Sequence, residues 1–140
     1  MDNNKNYVGL IIEDANGKLL FQLRDNKPSI PHPNKWSLFG GGIEKNETPL
    51  KALKRELQEE LDLTIDISKV TLLFKKENSI SNRYVFYYKL NDSKKKMRLD
   101  EGQTYRFFSL RQILFKSNVV LSLRLFMLLY PFLKRKPISS

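Results

Sequence analysis

The apolar positions of this chain follow two rhythms, and the switches between them mark its elements. Residues 7–12, YVGLII, form a run with β-branched side chains. Asn16-Gly17 and then LLFQL follow, which predicts two antiparallel strands joined by a tight turn with positive φ at both turn residues. From Arg24 to Lys35 the rhythm breaks at Pro28, Pro31 and Pro33. Each proline removes a backbone donor and constrains the residue before it, so an irregular loop is predicted. WSLF is a short strand candidate running straight into Gly40, Gly41 and Gly42.

At Thr48 the period becomes helical. Thr48 suits an N-cap and Pro49 the first helical position, and Leu50, Leu53, Leu57 and Leu61 recur at steps of three and four. Beyond it, Leu63 to Ile67 and Val70 to Phe74 read as strands, as do RYVFYYKL at residues 83–90 and Tyr105 to Phe108. Ser109 is placed to cap LRQIL, and Ser117 precedes NVVLSLRLFMLLY, a very apolar helix that should stop near Pro131. That last helix contains Arg124 and is too short to span a bilayer, which needs about 20 apolar residues. Packing on the sheet is its simplest role; a homodimer interface or docking on a membrane surface are the alternatives.

Length and composition narrow the classes. The 140 residues, 41% hydrophobic, suit one domain spanning residues 1–140 with a core of its own. No cysteine is present, which excludes disulfide frameworks, thiolate nucleophiles and Cys-type zinc sites. The polar N-terminus MDNNKNY lacks the apolar stretch of a signal peptide, so a cytoplasmic location is expected. Twenty-five Lys and Arg against 15 Asp and Glu give a formal charge of +10, which attracts phosphates, nucleic acid or anionic surfaces. The runs at Lys94, Lys95, Lys96 and at Lys134, Arg135, Lys136 read first as a solvated turn and a solvated tail.

Against that basic background Glu56, Glu59 and Glu60 crowd into five residues. At helical spacings of three and four from Glu56 they share a face beside the leucine stripe, so the helix can pack one side inward and aim three carboxylates outward. Such a cluster repels itself unless a proton or a cation neutralises it. A hard divalent ion, Mg²⁺ or Mn²⁺, held by carboxylates and substrate phosphate, resolves the conflict. The glycines then gain a purpose, because Gly40, Gly41 and Gly42 let backbone approach a bound ion or phosphate closely.

These residues carry a resemblance. Gly41, five residues, Glu47, seven residues, then Arg55-Glu56-Leu57-Gln58-Glu59-Glu60-Leu61-Asp62-Leu63 resembles the Nudix box, G-x5-E-x7-R-E-U-x-E-E-x-G-U. The one departure is Asp62 in place of the family's glycine, at a helix end where left-handed backbone is usual; Asp tolerates that region better than most residues. The resemblance implies an α/β fold of the α+β kind, an α/β/α sandwich with a mixed β-sheet between helices. It also implies metal-dependent hydrolysis of a nucleoside diphosphate linked to another group, by water attack at phosphorus. Glu56, Glu59, Glu60 and the carbonyl of Gly40 resemble the metal ligands, and Arg55 with Glu47 the pair that orients the site. Glu56 is one candidate base. Glu101, in a short run that resembles the distal-glutamate loop of MutT-type members, is a second candidate and a further ligand. Glu44 and Asn118 resemble substrate-side positions, with Asn118 also readable as a helix start.

The substrate is less legible. A nucleoside triphosphate or modified nucleotide is the first expectation; a nucleotide sugar or dinucleotide needs only different loops. RNA 5′ ends suit the basic charge, although no aromatic-and-basic RNA motif accompanies it, so nucleic acid is not favoured. A binding module without turnover is the non-enzyme alternative, and the intact Arg55, Glu56, Glu59 and Glu60 argue against it. Trp36, Phe39, Tyr84, Phe86 and Tyr88 read as core or sheet-face residues before base contacts. His32 is too isolated between prolines to be a catalytic base.

Overall fold

The computed structural model describes residues 6–91, 97–136 and 138. Its elements are β1 (Tyr7–Glu13), β2 (Leu19–Leu23), β3 (Trp36–Ser37), β4 (Phe39–Gly42), α1 (Pro49–Leu61), β5 (Thr71–Glu77), β6 (Asn82–Lys89), β7 (Thr104–Phe108), α2 (Leu110–Phe115) and α3 (Leu121–Arg135). One mixed sheet holds every strand, with β3, β2, β1, β6 and β5 in order. β7 lies against β2, and β4 against the first half of β1. β1 and β6 run parallel in register from Tyr7↔Arg83 to Glu13↔Lys89, which requires the crossover that α1 and β5 supply.

Alternation along β1 explains the layers. Val8, Leu10 and Ile12 point to one face, where Leu53, Leu57 and Leu61 of α1 cover them. Ile11 points to the other and joins Phe21, Leu73 and Val85 beneath Ile113, Leu123, Met127 and Tyr130 of the last two helices. The architecture is thus the expected α/β/α sandwich. Trp36, Phe39, Phe86 and Tyr88 are buried in these two cores, while Tyr84 gives its hydroxyl to Glu77.

Four local expectations need correction. The turn before β2 is built on Asp14, whose carboxylate accepts from the backbone N–H groups of Asn16 and Lys18; Gly17 has φ 81° and Asn16 has no positive φ. Leu63 to Ile67 forms no strand, because the chain passes instead through a short 3₁₀ turn, Ile67–Lys69, capped by Asp66. The glycines do not follow a strand but lie within one, β4, paired to β1. The last helix starts at Leu121 and runs through Pro131 to Arg135. Asn118 and Val119 are spent on Trp36, whose N–H takes the Asn118 carbonyl and which bridges to Val119, so the backbone there is extended.

Proline inside α3 removes one backbone bond. The turn beyond it is held by another means. Lys134 donates to the buried Glu13 at 2.8 Å and lies over the Tyr87 and Tyr130 rings. Burial disfavours charge on Glu13, yet hydrogen bonds from Lys134 and Tyr87 hold its pKa below the ordinary value. Lys134 is therefore an anchor and not part of a solvated tail. Lys94, Lys95 and Lys96 lie outside the described residues.

Gly40 and Gly41 test how closely these layers fit. Gly40 has φ 141°, and a Cβ there would overlap the backbone carbonyl of Val8; at Gly41 a Cβ would lie 2.5 Å from the Glu56 carboxylate, a side chain able to move. We predict that Gly40→Ala costs about 3 kcal/mol in urea denaturation and Gly41→Ala clearly less. Equal losses would show that Gly40 is not locked by the β1 backbone.

Candidate active site

The site is assembled where α1 meets β4. Thr48 caps the helix by accepting from the Lys51 N–H, and Pro49 occupies its first position. At the other end Asp62 adopts the left-handed region at φ 50° and ψ 39°, with its N–H directed to the carbonyls of Leu57 and Gln58. The box thus closes without the glycine. Between β4 and α1, Glu47 accepts from the Glu44 N–H at 3.0 Å, folding the connection back on itself.

Arg55 joins these parts. Its Nε and Nη2 take both oxygens of Glu47 at 2.9 and 3.0 Å, its Nη1 reaches Glu56 at 3.0 Å and Glu59 at 3.4 Å, and Nη2 also donates to the Gly42 carbonyl at 3.0 Å. Glu44 lies 3.9 Å from the same guanidinium and is largely exposed. The hydrogen bond from Arg55 holds the Glu47 carboxyl below its ordinary range, and Glu47 in turn fixes the positive charge on Arg55. Arg55 and Glu47 thus form a bidentate ion pair.

Glu60 departs from expectation. It does not point outward with its neighbours but is buried, 3% exposed. The reason is helical register: Glu60 follows Leu53 by seven residues, so two turns carry it to the edge of the leucine stripe. Its carboxylate accepts from the Gly40 N–H at 3.3 Å and from the Gln22 amide at 3.1 Å. Burial raises its pKa most, and the carboxylate of Glu56, close enough to share a hydrogen, and the charge of Glu101 raise it further, far above the carboxylate range. Glu59 remains at the surface on Arg55. Among the described residues no three acidic or histidine side chains are already arranged around a single point. Glu59 and Glu60 are turned to Arg55 and to Gln22 respectively.

The loop bearing Glu101 is strapped to this end of the helix. Asp100 N–H donates to the Glu60 carbonyl at 2.8 Å, and Gln103 N–H to the Leu23 carbonyl at 2.8 Å. Gly102, at φ 88°, passes so close that a Cβ would meet the Leu23 carbonyl at 3.0 Å. Asn118 is not brought to the acids; its amide donates to the Asn34 carbonyl and fastens the proline-rich loop.

Two residues were missed from sequence. Gln22 donates to both the Leu38 carbonyl and Glu60, although it is buried within a strand. Its signal was available, since a lone amide in the apolar run LLFQL must find a buried partner. Tyr7 is pushed up to about 12, by burial first and then by Glu60. Nothing in its sequence context distinguishes it from an ordinary strand residue.

A family model for the NUDIX domain matches residues 3–128. The chain belongs to the Nudix family. It is 41% identical over 56 residues to an RNA pyrophosphohydrolase of Halorhodospira halophila, covering 40% of this chain and 28% of that protein. It is 35% identical over 88 residues to an 8-oxo-dGTP diphosphatase of Proteus vulgaris, covering 61% of this chain and 73% of that one. The crystal structure of a MutT protein from Methanosarcina mazei superposes with a TM-score of 0.74 over 94% of this chain and 95% of that one, at 20% identity, which shows the shared fold. The match to the Halorhodospira protein thus spans little more than a quarter of that relative's length.

Two predictions arise here. A raised Glu60 pKa means that the folded protein keeps a proton which the unfolded chain releases above 4.5. Stability in chelator should therefore fall as pH rises from there through neutrality, by at most about 1.4 kcal/mol per pH unit. Glu60→Gln should flatten that slope in thermal melts; an unchanged slope would assign it to other groups. Gln22→Leu, which leaves Glu60 without its amide donor, should lower activity about 10–100-fold while the protein stays folded. Full activity in that variant would show that Gln22 only packs.

Proposed function

We propose that this chain is a divalent-metal-dependent pyrophosphohydrolase that cleaves a diphosphate bond in a nucleoside diphosphate derivative, with a (d)NTP or modified nucleotide as the first candidate. The observation that carries the reading is the Glu56–Glu60 pair: two carboxylates pressed together beneath Gly40 and Gly41, with one of them forced toward protonation. That arrangement is costly for an apoprotein and suited to an all-oxygen cation site. Glu56, Glu59, Glu60, the Gly40 carbonyl and Glu101 would hold Mg²⁺ or Mn²⁺. Such an ion, when bound, withdraws charge from phosphate oxygens and acidifies water.

The protein's own share of the chemistry is positioning and proton transfer. Arg55, clamped on Glu47, fixes the Glu56 carboxylate against Gly41 and ties the end of β4 to the helix. A water oxygen bonds to phosphorus, the bridging P–O bond breaks, and the released phosphate or pyrophosphate departs with the bond's electron pair. The water's proton goes to a carboxylate, for which Glu56 and Glu101 are the two candidates. Glu44 lies at the rim on the substrate side.

The name of the Proteus relative supports a nucleoside triphosphate substrate. The name of the Halorhodospira relative, together with the +10 charge, supports a second reading, pyrophosphate removal from RNA 5′ ends. The two differ in salt dependence, which is steep only when a phosphate backbone is engaged.

The deciding experiment measures phosphate and pyrophosphate release from nucleoside triphosphates, oxidised nucleotides, nucleotide sugars, dinucleoside polyphosphates and triphosphorylated RNA, with Mg²⁺ or Mn²⁺. Glu56→Gln should reduce turnover about 10²–10⁴-fold without loss of folding. Glu59→Gln and Glu60→Gln should raise the metal concentration required. A Glu60→Gln protein as active as the parent would overturn the role given to α1.

A further inference from the structure

α3 is apolar on two sides. Leu123, Met127 and Tyr130 face the sheet and are buried. Facing away from them, Leu121, Leu125, Leu128, Leu129 and Phe132 are 66%, 55%, 57%, 53% and 69% exposed. Their spacing of four, three, one and three residues sets them on one continuous stripe. Single exposed leucines are ordinary, but a contiguous stripe of this size marks a contact surface. Phe115, at the end of α2, is 81% exposed. Arg124 ties that end of α2 to α3 by donating to the carbonyls of Leu114 and Lys116.

Charge decides what the stripe meets. From residue 102 to residue 140 the sequence contains seven Lys and Arg and neither Asp nor Glu. Arg135 and Lys136 are exposed at the end of the helix that bears the stripe. A second copy docking face to face would set these cations against a surface that carries Lys116 and Arg124 and, from residue 102 on, neither Asp nor Glu to pair them. A nucleic acid would neutralise the cations and leave the leucines in water. One occupant answers both features, an apolar interior beneath a negatively charged surface.

We propose that the outer face of α3, with its basic end, is a docking surface for an anionic phospholipid membrane. The helix lies in the plane of the interface with its leucines and Phe132 among the upper acyl chains and Arg135 and Lys136 at the headgroups. No helix among the described residues is long and apolar enough to cross a membrane, so this contact is peripheral. The Lys134–Glu13 anchor keeps the helix fixed to the sheet, and the stripe is presented without unfolding.

The test is co-sedimentation of the full chain with vesicles of phosphatidylcholine alone or mixed with phosphatidylglycerol, at low and at physiological salt. Light scattering of the free protein runs in parallel. Binding should require the anionic lipid, and Leu125→Gln with Leu129→Gln should abolish it while nucleotide hydrolysis is unchanged. Arg135→Glu with Lys136→Glu should weaken it at least about tenfold, since each basic residue at such a surface contributes about fivefold. Absence of binding at low salt overturns the proposal. So does binding that the leucine variant retains, which would be adsorption of a polycation. A stable dimer that the leucine variant dissociates, with no vesicle binding, would give the face to a second copy.

Discussion

The guanidinium of Arg55 is the interaction on which the site depends. One planar cation receives the helix acids, the connection that precedes the helix and the end of β4, through the hydrogen bonds to Glu47, Glu56, Glu59 and Gly42. A lysine has a single point charge and could not make the same fork. Because Glu47 takes two of its donors in parallel, Arg55 is oriented before any ligand arrives, and Glu56 inherits that orientation. Arg55 is also partly buried, so its contacts are less screened than those of a surface pair.

Close packing of α1 on β4 sets the electrostatics. Gly40 cannot carry a side chain because of the Val8 carbonyl, and at Gly41 a side chain would have to displace the Glu56 carboxylate. The helix therefore sits low enough on the sheet to bury Glu60 beneath the backbone. Gly40 N–H and the Gln22 amide donate to that carboxylate, and neither is charged. Arg55 compensates Glu56 and Glu47 but makes no hydrogen bond to Glu60. A carboxyl without a counter-charge is thus built in by geometry, and it holds a proton in the place where a cation would be most strongly held.

Much of this was legible in the sequence, and what was not shares a cause. The spacing from Gly41 to Leu63 specified the helix, its caps and the pairing of Arg55 with Glu47, because each is a local relation along one chain segment. Asp62 kept the left-handed end that the family's glycine usually makes. Relations between distant segments were less visible. The spacing of Glu60 from Glu56 groups it with the outward acids, whereas its register with Leu53 places it on the stripe. Gln22 is 38 residues from the carboxylate it orients. The segment 63–67 has strand-like composition, yet the left-handed turn at Asp62 redirects it. Pro131 read as a helix stop, and the ion pair of Lys134 with Glu13, 121 residues away, holds the helix beyond it.

Charge in this chain is segregated, and the segregation links the two ends of the fold. Seven of the 15 acids lie between Glu44 and Asp66, and none follows Glu101. Of the acids in this segment Glu44, Glu47, Glu56 and Glu59 gather on Arg55 and Glu60 lies beside them, while Asp62 and Asp66 serve the turns that follow. The rest of the surface is left strongly positive. A polyanion approaching such a molecule is attracted by most of the surface and repelled at the acidic cluster, where a bound divalent ion would reverse the sign. On the proposed function the same division answers two requirements, a metal at the site and a counter-charge for the remainder of the molecule. Net charge spread evenly would serve neither requirement.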